Sequence, residues 1–113
     1  MGAERARKLA SKPSDDPTKD LRRRFGRWLK LRREERGVTQ ADLAGLLGLK
    51  YYSFISQVEN GLGRIPQSLY GPWAKALDID DEEFAWMALS HLEPGLFQML
   101  RKTPPPDPTE PIG

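Results

Sequence analysis

The sequence predicts an all-α protein, and three observations carry that expectation. Apolar residues recur three and four positions apart in six separate segments. Glycine or proline marks most of the boundaries between those segments. No stretch alternates apolar with polar residues as a half-buried strand would. With 113 residues the chain has room for one small domain and flanking tails.

Residues 1–20 contain Pro13, Pro17 and mixed charge with almost no large apolar side chain, and are expected to be a disordered basic arm. The domain is expected to span residues 21–102. Leu21, Phe25, Trp28 and Leu29 form the apolar stripe of a first helix, with Arg22, Arg23, Arg24, Arg27 and Lys30 around it. Gly37 is placed to end that helix, and Thr39 to cap the next. The second helix, residues 40–47, is short, carries Leu43, Ala44 and Leu47 on one side, and is stopped by Gly48. A third runs from about residue 52 to residue 59, with Phe54, Ile55 and Val58 at core spacing and Asn60-Gly61 as its terminator. Two short helices therefore meet across a tight turn, with the small residues Ala44 and Gly48 at the elbow letting them cross closely: a helix-turn-helix unit.

A fourth helix, starting at Ser68 or Pro72, carries Trp73, Ala74 and Leu77. Asp80, followed three residues later by Glu83, opens a fifth that buries Phe84, Met87 and Ala88. Pro94 suits the first turn of a sixth, with Leu96, Phe97 and Leu100 apolar. Residues 103–113 hold five prolines and are expected to be a disordered tail.

Composition removes several function classes. The absence of cysteine excludes disulfides and thiolate metal sites, and a single histidine, His91, leaves zinc without its usual second ligand, so no metal and no cofactor is expected. No glycine-rich phosphate cradle, nucleophile elbow or carboxylate pair in a cleft is present, which argues against an enzyme; Asp80, Asp81, Glu82 and Glu83 are explained as a helix amino terminus. The longest apolar run, Phe84 to Leu89, is six residues, far short of the roughly 20 needed to span a bilayer. No apolar stretch follows the basic amino terminus as a secretory signal requires, so a cytoplasmic, nucleoid-associated location is expected.

The formal charge of +2 hides an asymmetry. Residues 1–37 hold 13 Lys/Arg against 6 Asp/Glu, whereas residues 38–113 hold 5 against 10. A cationic end on a near-neutral chain is the footprint of a polyanionic partner, either nucleic acid or an acidic membrane surface.

The segment TQADLAGLLGLKYYSFISQVENG, residues 39–61, resembles the helix-turn-helix of the phage lambda-repressor/Cro class, the XRE family. The linked elements are Thr39-Gln40, Leu43-Ala44, Gly48, Ile55-Ser56, Glu59-Asn60-Gly61, Pro66, Ala74, Ala76 and Leu77. The resemblance implies a lambda-repressor-like five-helix domain with an extra carboxy-terminal helix. It further implies a sequence-specific, double-stranded-DNA-binding transcriptional regulator of bacterial or phage type. By position in the motif, Tyr52, Ser53, Ser56 and Gln57 match base-reading residues. Gln40, Asn60 and Arg64 match phosphate contacts, and Lys50 and Tyr51 are added as further candidates. Arg33 and Glu59 match a structural ion pair. Two departures stand out: the spacing from Gly48 to Ile55 is one residue longer than usual, and the residue before Arg33 is Arg32 where the family has an apolar one.

The expected partners are duplex DNA and a second copy of the chain, with RNA polymerase or a toxin as a further protein partner and no membrane. Trp86, Leu92, Leu96, Phe97 and Leu100 are expected at the dimer contact, with sealing of the core as the other explanation for them. The competing functional reading is an antitoxin that neutralises a protein partner and autoregulates its operon. Removing residues 103–113 discriminates the two.

Overall fold

The computed structural model describes residues 17–102, all helical or loop. The six α-helices in this range are α1 (Pro17–Glu35), α2 (Gln40–Leu46), α3 (Ser53–Glu59), α4 (Tyr70–Ala76), α5 (Asp81–Leu92) and α6 (Pro94–Lys102). A 3₁₀ turn, Gln67–Leu69, leads into α4. This is the expected all-α architecture, compatible with a lambda-repressor-like fold. The expected arm falls on residues 1–20 and the expected tail on residues 103–113; residues 1–16 and the tail lie outside the described range.

The first helix begins at Pro17, four residues before its expected start. A proline at the first helical position loses nothing, because its missing N–H would have had no partner there. Asp20 then places an acid in the first turn and pairs with Arg24 one turn on, at 3.2 Å.

Three of the short connections use one device. At the ends of α1, α2 and α3 the glycines Gly37, Gly48 and Gly61 take positive φ, and the residue after each donates to the carbonyl five residues back, as Leu49 N does to the Ala44 carbonyl at 2.8 Å. Gly48 has open space around it, so its requirement is backbone conformation and not the close helix crossing expected of it. The close crossing lies elsewhere. A Cβ on Gly26, in the middle of α1, would collide with the carbonyl oxygens of Val58 and Glu59 on α3.

The core is one cluster. Phe25 and Leu29 of α1 meet Leu43 and Ala44 of α2, Ile55 and Val58 of α3, Trp73 and Ala74 of α4, and Phe84, Ala88 and Leu92 of α5. Ile65, Leu77 and Ile79, from the loops beside α4, complete it. Of the two expectations for Leu92, a dimer contact or sealing of the core, its 6% exposure excludes the first. Leu92 continues the inward row of Phe84 and Ala88 at four-residue spacing and belongs to the core. The charge at Arg32 is accommodated at the edge of the core. Its guanidinium lies 5.7 Å from the centre of the Trp28 ring and donates to Glu83 of α5 at 3.0 Å.

Candidate nucleic-acid interface

The two helices of the helix-turn-helix unit are held by different means. In α2 the Thr39 hydroxyl accepts from the Asp42 amide at 3.0 Å, while the Asp42 carboxylate accepts from the Thr39 amide at 3.1 Å, a complete capping box. The hydrogen bond from the Thr39 amide favours the charged acid and holds the Asp42 carboxyl below its ordinary value. In α3 the cap position is Tyr52, in helical conformation and without a side-chain hydrogen bond. Helix α3 begins at Ser53, five residues after Gly48.

The orientation of α3 is fixed from behind. Arg33 of α1 grips Glu59 with two nitrogens, Nε to Oε2 at 2.7 Å and Nη2 to Oε1 at 3.0 Å, and its Nη1 donates to the Val38 carbonyl at 2.8 Å. The side chains are 9% and 2% exposed, so this is a buried, bidentate pair. The hydrogen bond to Glu59 raises the Arg33 pKa above its ordinary value, against the opposite effect of burial. Gln40 joins the same group, its Nε2 donating to Glu59 Oε1 at 3.0 Å. One carboxylate therefore ties α1 and the start of α2 to the end of α3.

With Ile55, Val58 and Glu59 turned inward, α3 presents Tyr52, Ser53, Gln57 and Asn60 to the outside. Ser53 and Gln57 are one turn apart on the same face. Ser56 is half-buried, and its hydroxyl accepts a hydrogen bond from Asn60 Nδ2 at 3.4 Å. Tyr51 and Tyr52, 67% and 57% exposed, stand at the approach to the helix. The Lys50 ammonium lies 5.5 Å from the centre of the Tyr51 ring. Of the residues expected at the interface, Tyr52, Ser53, Gln57 and Asn60 are thus brought together, with Lys50 and Tyr51 beside them. Gln40 is half-buried and has committed one of its N–H groups to Glu59. Arg64 is drawn elsewhere, into an ion pair with Glu93 at the end of α5.

A family model described as a helix-turn-helix domain matches residues 24–87. The chain belongs to the helix-turn-helix domain family. The family is typical of XRE-like regulators, and its domain is a DNA-binding one that is typically not enzymatic. The search of curated proteins gave no match. The match covers the capped α2, the exposed α3 and the Arg33–Glu59 tie, and it stops within α5. Among the described residues of this helix-turn-helix protein no helix is long and apolar enough to cross a membrane.

Two parts of the site gave no clear signal in the sequence. Gly26, which lets α1 lie against the carbonyl end of α3, was hidden in a basic helix. An isolated glycine inside a helical pattern is the signal that marks it. The second is which of α1's arginines are neutralised across the fold, since the pairs Arg32–Glu83 and Arg33–Glu59 depend on acids distant in sequence.

Proposed function

We propose that the protein is a sequence-specific double-stranded DNA-binding transcriptional regulator that lays α3 in the major groove. The observation that carries this reading is the polar, outward row of Ser53 and Gln57 on a helix whose opposite face is buried and tied to α1. An α-helix fits the major groove, where the Gln57 amide matches the paired donor and acceptor of adenine. Tyr52 and Ser53 read the neighbouring bases, with Ser56 contributing less because its hydroxyl is engaged by Asn60. Gln40, Lys50, Tyr51 and Asn60 hold phosphates around them. Arg64 joins them by exchanging Glu93 for a phosphate.

The protein acts as a homodimer in this reading. Trp86, Leu96 and Leu100 are 45%, 50% and 42% exposed, and Phe97 packs edge-on against Trp86 with ring centres 6.0 Å apart. They leave an apolar face on α5 and α6. Two copies of α3 then address half-sites about 34 Å apart.

Selection of bound sequences from a random duplex pool tests both parts. The expected result is an enriched motif of two half-sites one helical turn apart. Gln57→Ala is expected to relax preference at one position in each half-site, by about 1–3 kcal/mol, without loss of folding. A pool that shows no enrichment overturns the sequence-reading proposal, and a single unrepeated half-site overturns the dimer.

A further inference from the structure

The basic residues of α1 and of the turn after it divide into those with a carboxylate partner and those without. Arg24 pairs with Asp20, Arg32 with Glu35 and Glu83, Arg33 with Glu59, and Arg36 with Asp78. Arg22, Arg23, Arg27 and Lys30 have no carboxylate partner among the described residues. The position of Gly26 shows which way these four point. Gly26 is the α1 residue that touches the end of α3, and Arg22, Arg23 and Lys30 stand four before, three before and four after it, on the same stripe. Arg27 borders that stripe. The paired Arg24 lies on the far side of the helix.

Arg23 gives the placement a fixed point. Its stem packs on Gly61, the residue that turns the chain out of α3: a Cβ added there would meet the Arg23 Cγ at 2.8 Å. Its Nη1 is buried with no hydrogen-bond acceptor among the described residues. A guanidinium nitrogen in that position lacks the partner that a buried donor ordinarily has. The unpaired charges therefore begin at the turn that ends α3 and run along α1 on the side facing α3. Residues 17–23, about 10 Å of helix, lie upstream of the family match and carry Arg22 and Arg23.

We propose that this stripe is a second DNA-binding element, in which Arg22, Arg23, Arg27 and Lys30 hold phosphodiester groups of the duplex flanking the stretch that α3 reads. It rests on the duplex-binding reading above and adds residues to it. The four cations position the protein without reading sequence, because phosphate contacts carry no base information. Arg23 swings its guanidinium off the Gly61 turn and gains a phosphate oxygen for the donor that lacks an acceptor. The other explanation of Arg23 is favourable contact with the carbonyl end of α3. That accounts for Arg23 alone and leaves Arg22, Arg27 and Lys30 as solvated charges.

The test is the salt dependence of binding by the full chain, measured on a pool-selected duplex and on a scrambled duplex, each of about 30 bp. Arg22→Gln/Arg23→Gln and Arg27→Gln/Lys30→Gln are each expected to lower the slope of log affinity against log salt by about 1.8, at about 0.9 per phosphate released. Both leave the ratio of selected to scrambled affinity unchanged. Arg24→Gln leaves the slope unchanged. If Arg22→Gln/Arg23→Gln disturbs folding, the exposed pair Arg27 and Lys30 decides the matter. Wild-type slopes in both double variants overturn the proposal. So does a loss of binding to phosphatidylserine vesicles with no change of slope on DNA, which assigns the stripe to a membrane surface. Equal affinity of the wild type for both duplexes removes the sequence-reading proposal, and the slopes still decide this one. Binding to neither duplex removes both.

Discussion

Helices α2 and α3 are both seven residues long, both end on a glycine with positive φ, and stand on either side of one turn, yet they are stabilised at different levels of structure. The amino terminus of α2 is satisfied by its own neighbours, through the reciprocal bonds of Thr39 and Asp42. That of α3 has no side-chain cap, and α3 is held instead from its other end by α1, through the Gly26 seam and the Arg33–Glu59 pair. Helices this short are marginal alone, so each needs something beyond propensity. The difference shows how a reading helix is kept available. A cap that used the side chains at positions 52 and 53 would engage the very groups that are turned toward a groove, whereas an anchor at Glu59 leaves them exposed.

The largest way to break the comparison is to cut the anchor. Glu59→Ala leaves the buried Arg33 guanidinium and the half-buried Gln40 amide without their shared acceptor, and is expected to destabilise the fold by about 3–5 kcal/mol in urea titrations. Little of that loss measures the intrinsic strength of the pair; most comes from the stranded charge. Replacing both partners, as Arg33→Met with Glu59→Leu, is therefore expected to recover much of it. A Glu59→Ala protein as stable as the wild type would mean that α3 is held by apolar packing alone.

The local cap of α2 is a smaller lever. Thr39→Ala removes the acceptor for the Asp42 amide and is expected to cost about 1 kcal/mol, read as a lower melting temperature. The same box carries a pH dependence. The folded Asp42 carboxyl titrates below its ordinary value, so its contribution is complete above the unfolded-state pKa and is lost as pH falls through the folded one. Melts repeated at falling pH in the wild type and in Asp42→Asn check this: the two curves converge in acid. Helix α3 has no such box, and changes at Tyr52 are expected to leave the melt almost unmoved.

The ease of reading α2 from the sequence follows from the same contrast. Thr39, Asp42 and Gly48 are local signals, and so are the apolar spacings of Leu43, Ala44, Ile55 and Val58. The family resemblance supplied what no local signal contains, the pairing of Arg33 with Glu59 across 26 positions. Other positions are set by neither. Pro17 starts α1, but a proline that starts a helix and one that prevents it are the same letter. Ile65 and Ile79 are buried single residues in loops, with no period to expose them. Leu92 extends the spacing of Phe84 and Ala88 by one more turn, and only the packing of α5 on α1 decides that this turn faces inward. Arg64 illustrates the limit for the interface, since its ion pair with Glu93 joins positions that the linear sequence cannot relate.

The smallest expected effect sharpens the contrast between the two helices through a pair of glycines. Gly45, in α2, has nothing within 4 Å of where its Cβ would be, and its φ is not positive. Its only influence on stability is therefore the backbone freedom it gives the unfolded chain. Gly45→Ala is expected to raise stability by about 0.5–1 kcal/mol, as for an alanine replacing glycine inside a helix. Gly26 has the same helical backbone, but the carbonyls of α3 occupy the space its Cβ would take, so the same substitution there acts in the opposite direction. Urea titration of the two variants side by side separates propensity from packing. A gain at Gly45 with a loss at Gly26 means that α2 responds to its own residues and α3 to those of α1. A loss at Gly45 would show that α2's outer surface is closed by some contact of the native protein, and α2 would then no longer stand as the self-supporting member of the pair.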